Sequence, residues 1–264
     1  MKLTMLGTGH AGVTNCYNTC FLLEEEGKCF LTDTGGGNGL IRQLRACGHS
    51  PQEISEVFIT HKHLDHITGF FWLERLIHSS KRRGSDWSLT VYSHEEVIEI
   101  LRHGMRDLLL NEGEEPEDFI RFEVVRDGDV RTVLGHETVF FDIHAQKARQ
   151  FGFRMKYNET DTLTCLGDEP YNDSEQAYAE HCTWLMHESF CKYADTEIFH
   201  PGRAGHSTVK DAAETAERLG VKNLLIYHTE DRDLLHRRES YTAEALQYFH
   251  GHVYIPDDLD TIEL

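Results

Sequence analysis

The stretch Thr60-His61-Lys62-His63-Leu64-Asp65-His66 decides how this chain is read. It places three imidazoles and a carboxylate within one short segment, directly after the apolar strand candidate Glu56-Val57-Phe58-Ile59. Core packing asks for no such cluster. Nitrogen and oxygen ligands arriving together at a strand end are what a borderline-soft divalent cation such as zinc needs. His61 and His63 alternate with Lys62, so in extended backbone both rings face the same way. Asp65 and His66 follow on the turn and can address a second cation. The plain alternative is a solvated His-rich loop at a helix start.

With 264 residues the chain has room for one large domain or two small ones, and we read residues 1–264 as a single domain. Hydrophobic residues make up 39%, enough for a substantial core. No apolar run approaches the roughly 20 residues that span a bilayer. The opening Met1-Lys2-Leu3-Thr4-Met5-Leu6 reaches Gly7 too early for a signal-peptide apolar region. The expectation is a soluble, cytoplasmic protein with no membrane partner. Seven cysteines, an odd set without CxxC spacing, argue for reduced thiols. Cys16 and Cys20 lie four apart, and without a second pair they read as small buried hydrophobes.

The net charge of −19 repels nucleic-acid backbone unless basic residues are segregated onto one face. Lys81-Arg82-Arg83 and Arg237-Arg238 are the compact basic clusters, and both read as solvated surface turns.

Strands are predicted at 2–6, 19–23 and 29–32, followed by the glycine-rich 35–39 and a helical pattern through Leu40, Leu44 and Ala46. Ser50-Pro51-Gln52-Glu53 has the form of a capping box. After strand 56–59 and the His cluster, Phe70, Phe71, Leu73, Leu76 and Ile77 have helical spacing. Strand 88–92 and helix 94–110 come next, then an acidic loop at 111–118. Further strands are predicted at 120–125, 138–143, 150–156, 161–165, 183–187, 222–227, 252–255 and 261–263. Helices are predicted at 173–180, 208–219 and 241–249. Two successive strand-rich halves suggest two mixed sheets packed together with helices outside, an α+β arrangement in four αββα layers.

Ligand types recur at the exits of later apolar strands. His144 follows Val139–Ile143, Asp168 follows Leu163–Gly167, and His228 follows Leu224–Tyr227. Strand exits are where a scaffold presents functional groups to a shared edge. Gly7-Thr8-Gly9, the cluster at 60–66 with Gly69, His144, Gly167-Asp168, His187-Glu188-Ser189, His206-Ser207-Thr208 and Tyr227-His228-Thr229 together resemble the metallo-β-lactamase superfamily. The branch they look most like is ribonuclease Z, the tRNA 3′-processing endonuclease. The resemblance runs from the first strand to His228.

That resemblance implies a dinuclear-metal hydrolase of phosphodiesters. One cation would be held by His61, His63 and His144, a second by Asp65, His66 and His228, with Asp168 bridging them. Zinc, manganese and iron all suit these ligands. Asp65 would orient or deprotonate the nucleophile, Glu188 would orient His206, and His206 would protonate the leaving oxygen. Independently of that role, Ser207 or Thr208 would N-cap the helix at 208–219. Relatives of this kind are often homodimers.

The chain departs from ribonuclease Z in two respects. The tRNA-gripping arm of that branch usually lies between the third-motif histidine and the bridging aspartate. Here His144 and Asp168 are 24 positions apart with two strands between, which leaves no room for an arm. The loop His10–Thr19 contains neither lysine nor arginine. The substrate is therefore RNA or a small molecule: a tRNA precursor, a cyclic nucleotide or similar diester, or a lactone or thioester. A two-iron redox protein on this scaffold would call for a carboxylate in the first cluster and a flavin domain. A non-catalytic binding module would have lost ligand positions. Neither description fits.

Overall fold

The computed structural model describes residues 1–264. The first half runs β1 (Lys2–Gly7), β2 (Cys20–Glu25), β3 (Lys28–Thr32), α1 (Gly39–Ala46), β4 (Ile54–Phe58), α2 (Leu64–Lys81), β5 (Leu89–Ser93), α3 (Glu95–Leu108) and β6 (Ile120–Val124). The second half runs β7 (Asp129–Val133), β8 (His136–Asp142), β9 (Phe151–Lys156), β10 (Thr162–Cys165), α4 (Gln176–Ala179), β11 (Trp184–Glu188), α5 (Thr196–Phe199), α6 (Pro201–Ala204), α7 (Val209–Arg218), β12 (Asn223–Tyr227), α8 (Leu234–Ala245) and β13 (His252–Tyr254). Finally β14 (Thr261–Glu263) returns to pair with β1.

Each half makes one seven-stranded sheet, in the orders β14-β1-β2-β3-β4-β5-β6 and β13-β12-β11-β10-β9-β8-β7. Each sheet joins an antiparallel meander to a parallel run, β3 to β6 in the first and β10 to β13 in the second. Parallel neighbours need crossovers, and helices supply them. The central strands of the second parallel run are covered on both faces: every residue of β11 and β12 is buried. Between the sheets lies an aromatic core with Phe58, Phe140 and Phe153 at its centre. Outside the first sheet α1, α2 and α3 bury Leu44, Phe70, Leu73 and Leu101, and outside the second α7 and α8 bury Val209, Ala213 and Tyr241. The fold is thus the expected four-layer αββα sandwich.

Several local expectations give way. Ser50 does cap Gln52, but only a single 3-10 turn, Pro51–Glu53, follows before β4 begins at Ile54. The helix expected at 241–249 starts seven residues earlier, where the Asp233 side chain accepts from His236 N. The basic pair Arg237-Arg238 is no solvated turn. Arg237 lies buried in α8, donating to Thr8, Thr229, Asp257 and the Pro256 carbonyl, while Arg238 pairs with Asp257 and Asp260. In the other cluster Arg82 pairs with Glu114.

Candidate metal centre

Strand β4 delivers the chain to the site. After Phe58 the chain runs to His63, whose extended backbone (φ −66°, ψ 150°) stands at the N-cap of α2. Asp65 and His66 therefore fall in the first helical turn, where the helix dipole favours a carboxylate. The turn is clamped from β3. Thr34 donates its hydroxyl to the His66 carbonyl at 2.7 Å and accepts from Phe70 N at 3.0 Å. Gly69 permits that approach, because a Cβ there would fall 1.9 Å from the Thr34 carbonyl oxygen. The opposite wall comes from the exits of β10, β11 and β12. His228 adopts φ 59° at the end of β12, and Thr229 N bonds the Thr8 carbonyl, which sets the Gly7-Thr8-Gly9 segment beside it.

Three groups of donor atoms result, in each of which all atoms lie within 4.8 Å of one another: Asp65, His66, Asp168 and His228; His61, His63 and Asp168; and Glu188, His206 and His228. Asp168 belongs to the first two and His228 links the first to the third. Asp168 Oδ2 lies 3.2 Å from His66 Nε2, 3.3 Å from His228 Nε2 and 3.7 Å from His61 Nε2. Asp65 Oδ2 lies 3.2 Å from His66 Nε2 and 3.5 Å from His228 Nε2. The Nε2 atoms of His66 and His228 are buried without a hydrogen-bond partner. Buried polar atoms are almost always paired, so orphaned ring nitrogens converging on two carboxylates fit a cation. Burial by itself pushes the Asp168 carboxyl up, but His61, His66 and His228 outweigh it and hold the group well below the usual range.

Residues absent from the sequence reading hold these donors. Asp33, at the exit of β3, accepts from His66 Nδ1 at 2.7 Å and from Thr60 N at 2.8 Å. A carboxylate on the far nitrogen orients a ligand histidine and raises its basicity. Gln150 sets Nε2 2.8 Å from His61 Nδ1 and also donates to Asp168 Oδ1. Asp33 carried a usable signal, a carboxylate just after an apolar strand. Gln150, between Arg149 and Phe151, carried none.

His144 is not brought into any of the groups. Its φ is 52°, its side chain is 61% exposed, and its backbone N bonds Asp142 Oδ1 at 2.9 Å. The left-handed turn after β8 sends the ring outward, and Gln150 contacts His61 and Asp168 instead. The ring borders a cavity of about 450 Å³ that is also lined by Lys147, Glu169, Tyr171 and His206.

The third group brings Glu188 and His206 together beside His228. Glu188 is fully buried, accepts from Ser207 N, and turns Oε2 to His206 Nδ1 at 3.6 Å. Thr208 caps α7 through Asp211 N, which fixes the loop carrying His206. Phe190 stacks on the His206 ring at 5.3 Å and 5°. Burial pushes Glu188 well up, and burial with the neighbouring His228 pushes His206 down to about 3. The carboxylate partner therefore does not raise the ring's pKa. Glu188 Oε2 and His206 Nδ1 face each other without a hydrogen-bond partner.

The model of the family described as anti-Pycsar protein Apyc1 matches residues 1–244. The chain belongs to that family. It is also 27% identical to ribonuclease Z of Methanothermobacter thermautotrophicus, over 100% of this chain and 97% of that protein. Among solved structures it is similar to the metallo-β-lactamase fold protein YhfI of Bacillus subtilis, with a TM-score of 0.80 and 18% identity over 99% and 98% of the two chains. It is similar as well to the short form of human tRNase Z, with a TM-score of 0.75 and 21% identity over 100% and 99%. The chain is a ribonuclease Z-like metal-dependent hydrolase of the metallo-β-lactamase superfamily. No helix is long and apolar enough to cross a membrane.

Proposed function

We propose that this chain is a two-cation phosphodiesterase whose substrate is a small diester, such as a cyclic nucleotide, rather than a tRNA precursor. The observation that carries the reading is the sharing of donors: Asp168 common to two groups and His228 joining them to Glu188 and His206. Asp65, His66, Asp168 and His228 would hold one divalent cation, zinc by preference with manganese or iron able to serve. His61, His63 and Asp168 would hold the other, with His144 as the remaining ligand if its ring turns inward. Paired cations supply an acidified water and neutralise charge on the phosphoryl oxygens. Asp65 would be placed to orient the attacking water and to take its proton. Glu188 holds His206, and His206 delivers a proton to the departing oxygen.

Several observations favour a small substrate. Between His144 and Asp168 the chain forms β9 and β10, both in register with their sheet neighbours, which supports the absence of a gripping arm. The basic clusters are committed to internal partners. The cavity beside His206 and His144 has the size of small-molecule sites. The reading includes a single domain, a homodimer and a cytoplasmic location; the seven free thiols support the last.

A substrate panel on metal-replete protein tests the proposal: cyclic nucleotides, a bis-aryl phosphate diester, 3′-extended tRNA precursor and a lactone. Hydrolysis of the small diesters with the precursor left intact is expected. Cleavage of the precursor in preference to them would restore the tRNA reading, and cleavage of the lactone alone would end the phosphodiester one. Light scattering reports the oligomeric state.

A further inference from the structure

At the far end of β3 from Asp33, a fourth group of donor atoms lies apart from the hydrolytic centre. Cys29, His49 and Glu53 each place one donor atom within 4.8 Å of the others. Cys29 lies near the entry of β3, paired with Ile54 of β4, and is 1% exposed. His49 follows α1, and its backbone N bonds the Leu44 carbonyl at 2.8 Å. Glu53 ends the Ser50-capped 3-10 turn. All three stand on fixed backbone. Nδ1 of His49 lies 3.9 Å from Cys29 Sγ and 2.8 Å from Glu53 Oε2. Its other nitrogen, Nε2, faces Glu24 Oε2 at 3.3 Å, and Glu24 is paired in turn with Lys2.

A thiol, an imidazole and a carboxylate converging on one point form a mixed donor set that ordinary packing does not require. Soft thiolate with imidazole selects zinc-like cations over magnesium or calcium. Glu24 supplies what a ligand histidine usually has, a carboxylate on the ring nitrogen away from the cation, which leaves Nδ1 as the lone-pair donor. A surface groove lined by His49, Ser50, Glu53 and Leu76 gives a cation access from solvent.

We propose that Cys29, His49 and Glu53 bind one zinc-like divalent cation, separate from the hydrolytic centre, with Glu24 orienting His49 and water in the fourth position. Binding forms a sulfur–cation bond as the thiol proton leaves to solvent, and no electron is transferred. The cation would tie the entry of β3 to the end of α1 and to the turn before β4.

Cobalt-loaded full-length protein tests this, because the hydrolytic centre offers only nitrogen and oxygen donors. A thiolate-to-cobalt charge-transfer band in the near ultraviolet is expected in the wild type. It should be lost in Cys29→Ser and in His49→Gln, together with one equivalent of bound metal by elemental analysis, while hydrolysis is retained. Should Cys29→Ser fail to fold, His49→Gln and the half-exposed Glu53→Gln carry the test. Absence of the band from fully loaded wild type, or its survival in these variants, overturns the proposal. Either result leaves the hydrolytic reading untouched.

Discussion

Two buried carboxylates show opposite consequences of burial. Asp168, at the exit of β10, is hemmed in by His61, His66 and His228, which hold its carboxyl well below the usual range although burial by itself pushes it up. Glu74, on the inner face of α2, is fully buried with neither oxygen hydrogen-bonded, and burial followed by the nearby Glu114 pushes it up to about 7. Desolvation penalises both groups, and opposite charge, a cation or donated hydrogen bonds can offset it. Burial of an acid is therefore no sign of function; convergence of donors upon it is. The largest break in this contrast comes at Asp168. Asp168→Asn should lower kcat/KM on a small diester by about 10³-fold or more, the several kcal/mol that a bound cation supplies. Bound metal should fall with it. Near-wild-type turnover with a full metal complement would remove Asp168 from the centre.

The next effect belongs to Glu74 and is read in stability. Its carboxyl rises from 4.5 unfolded to about 7 folded. Between those values the folded state holds more protons than the unfolded, so stability falls as pH rises and the full loss is in place above the folded value. The difference corresponds to about 3 kcal/mol at most. Glu74→Gln removes the charge and keeps the shape. At pH 8 it should raise the unfolding free energy by about 1–3 kcal/mol, and near pH 4 the gain should vanish. Denaturant melts at the two pH values measure this, and a gain equal at both would show that Glu74 is not titrating in the fold.

The same contrast explains what could be read from the chain. The cluster at 60–66 was legible because contiguous residues carry its chemistry and a strand precedes it. Asp168, Glu188, His206 and His228 were legible as strand exits and loop motifs. Asp33 carries that signal too, but a lone aspartate shortly before Gly35 reads equally as a turn. Gln150 had no signal at all. Among the elements, β7 escaped notice because Asp129–Val133 is an edge strand with alternating exposure and little apolar content. The short α5 and α6 escaped because four-residue helices carry no period. Asp33→Asn weighs the missed residue. Losing the carboxylate behind His66 should weaken metal retention and activity about 10–100-fold, the usual cost of such a change. An unchanged metal titration would show that Thr34 and α2 hold His66 unaided.

The smallest expected effect concerns His144, where the strand-exit rule and the structure part. The rule puts a ligand there; the backbone turns the ring into solvent beside the cavity and leaves Gln150 next to His61. If the ring stays outward, His144→Ala should change kcat and metal content by less than about twofold, as surface substitutions generally do. If it swings in to complete the first group, the variant should behave like His63→Ala and lose one equivalent of metal. Turning it inward requires a change at a residue already in left-handed backbone, a conformation that costs of order 1–3 kcal/mol and persists where surroundings demand it. Measuring both variants by elemental analysis decides between a ligand recruited by the cation and a side chain that only borders the neighbouring cavity. The double variant of His144 and Gln150 sharpens this further. Loss beyond the product of the single effects would show that the two side chains are coupled.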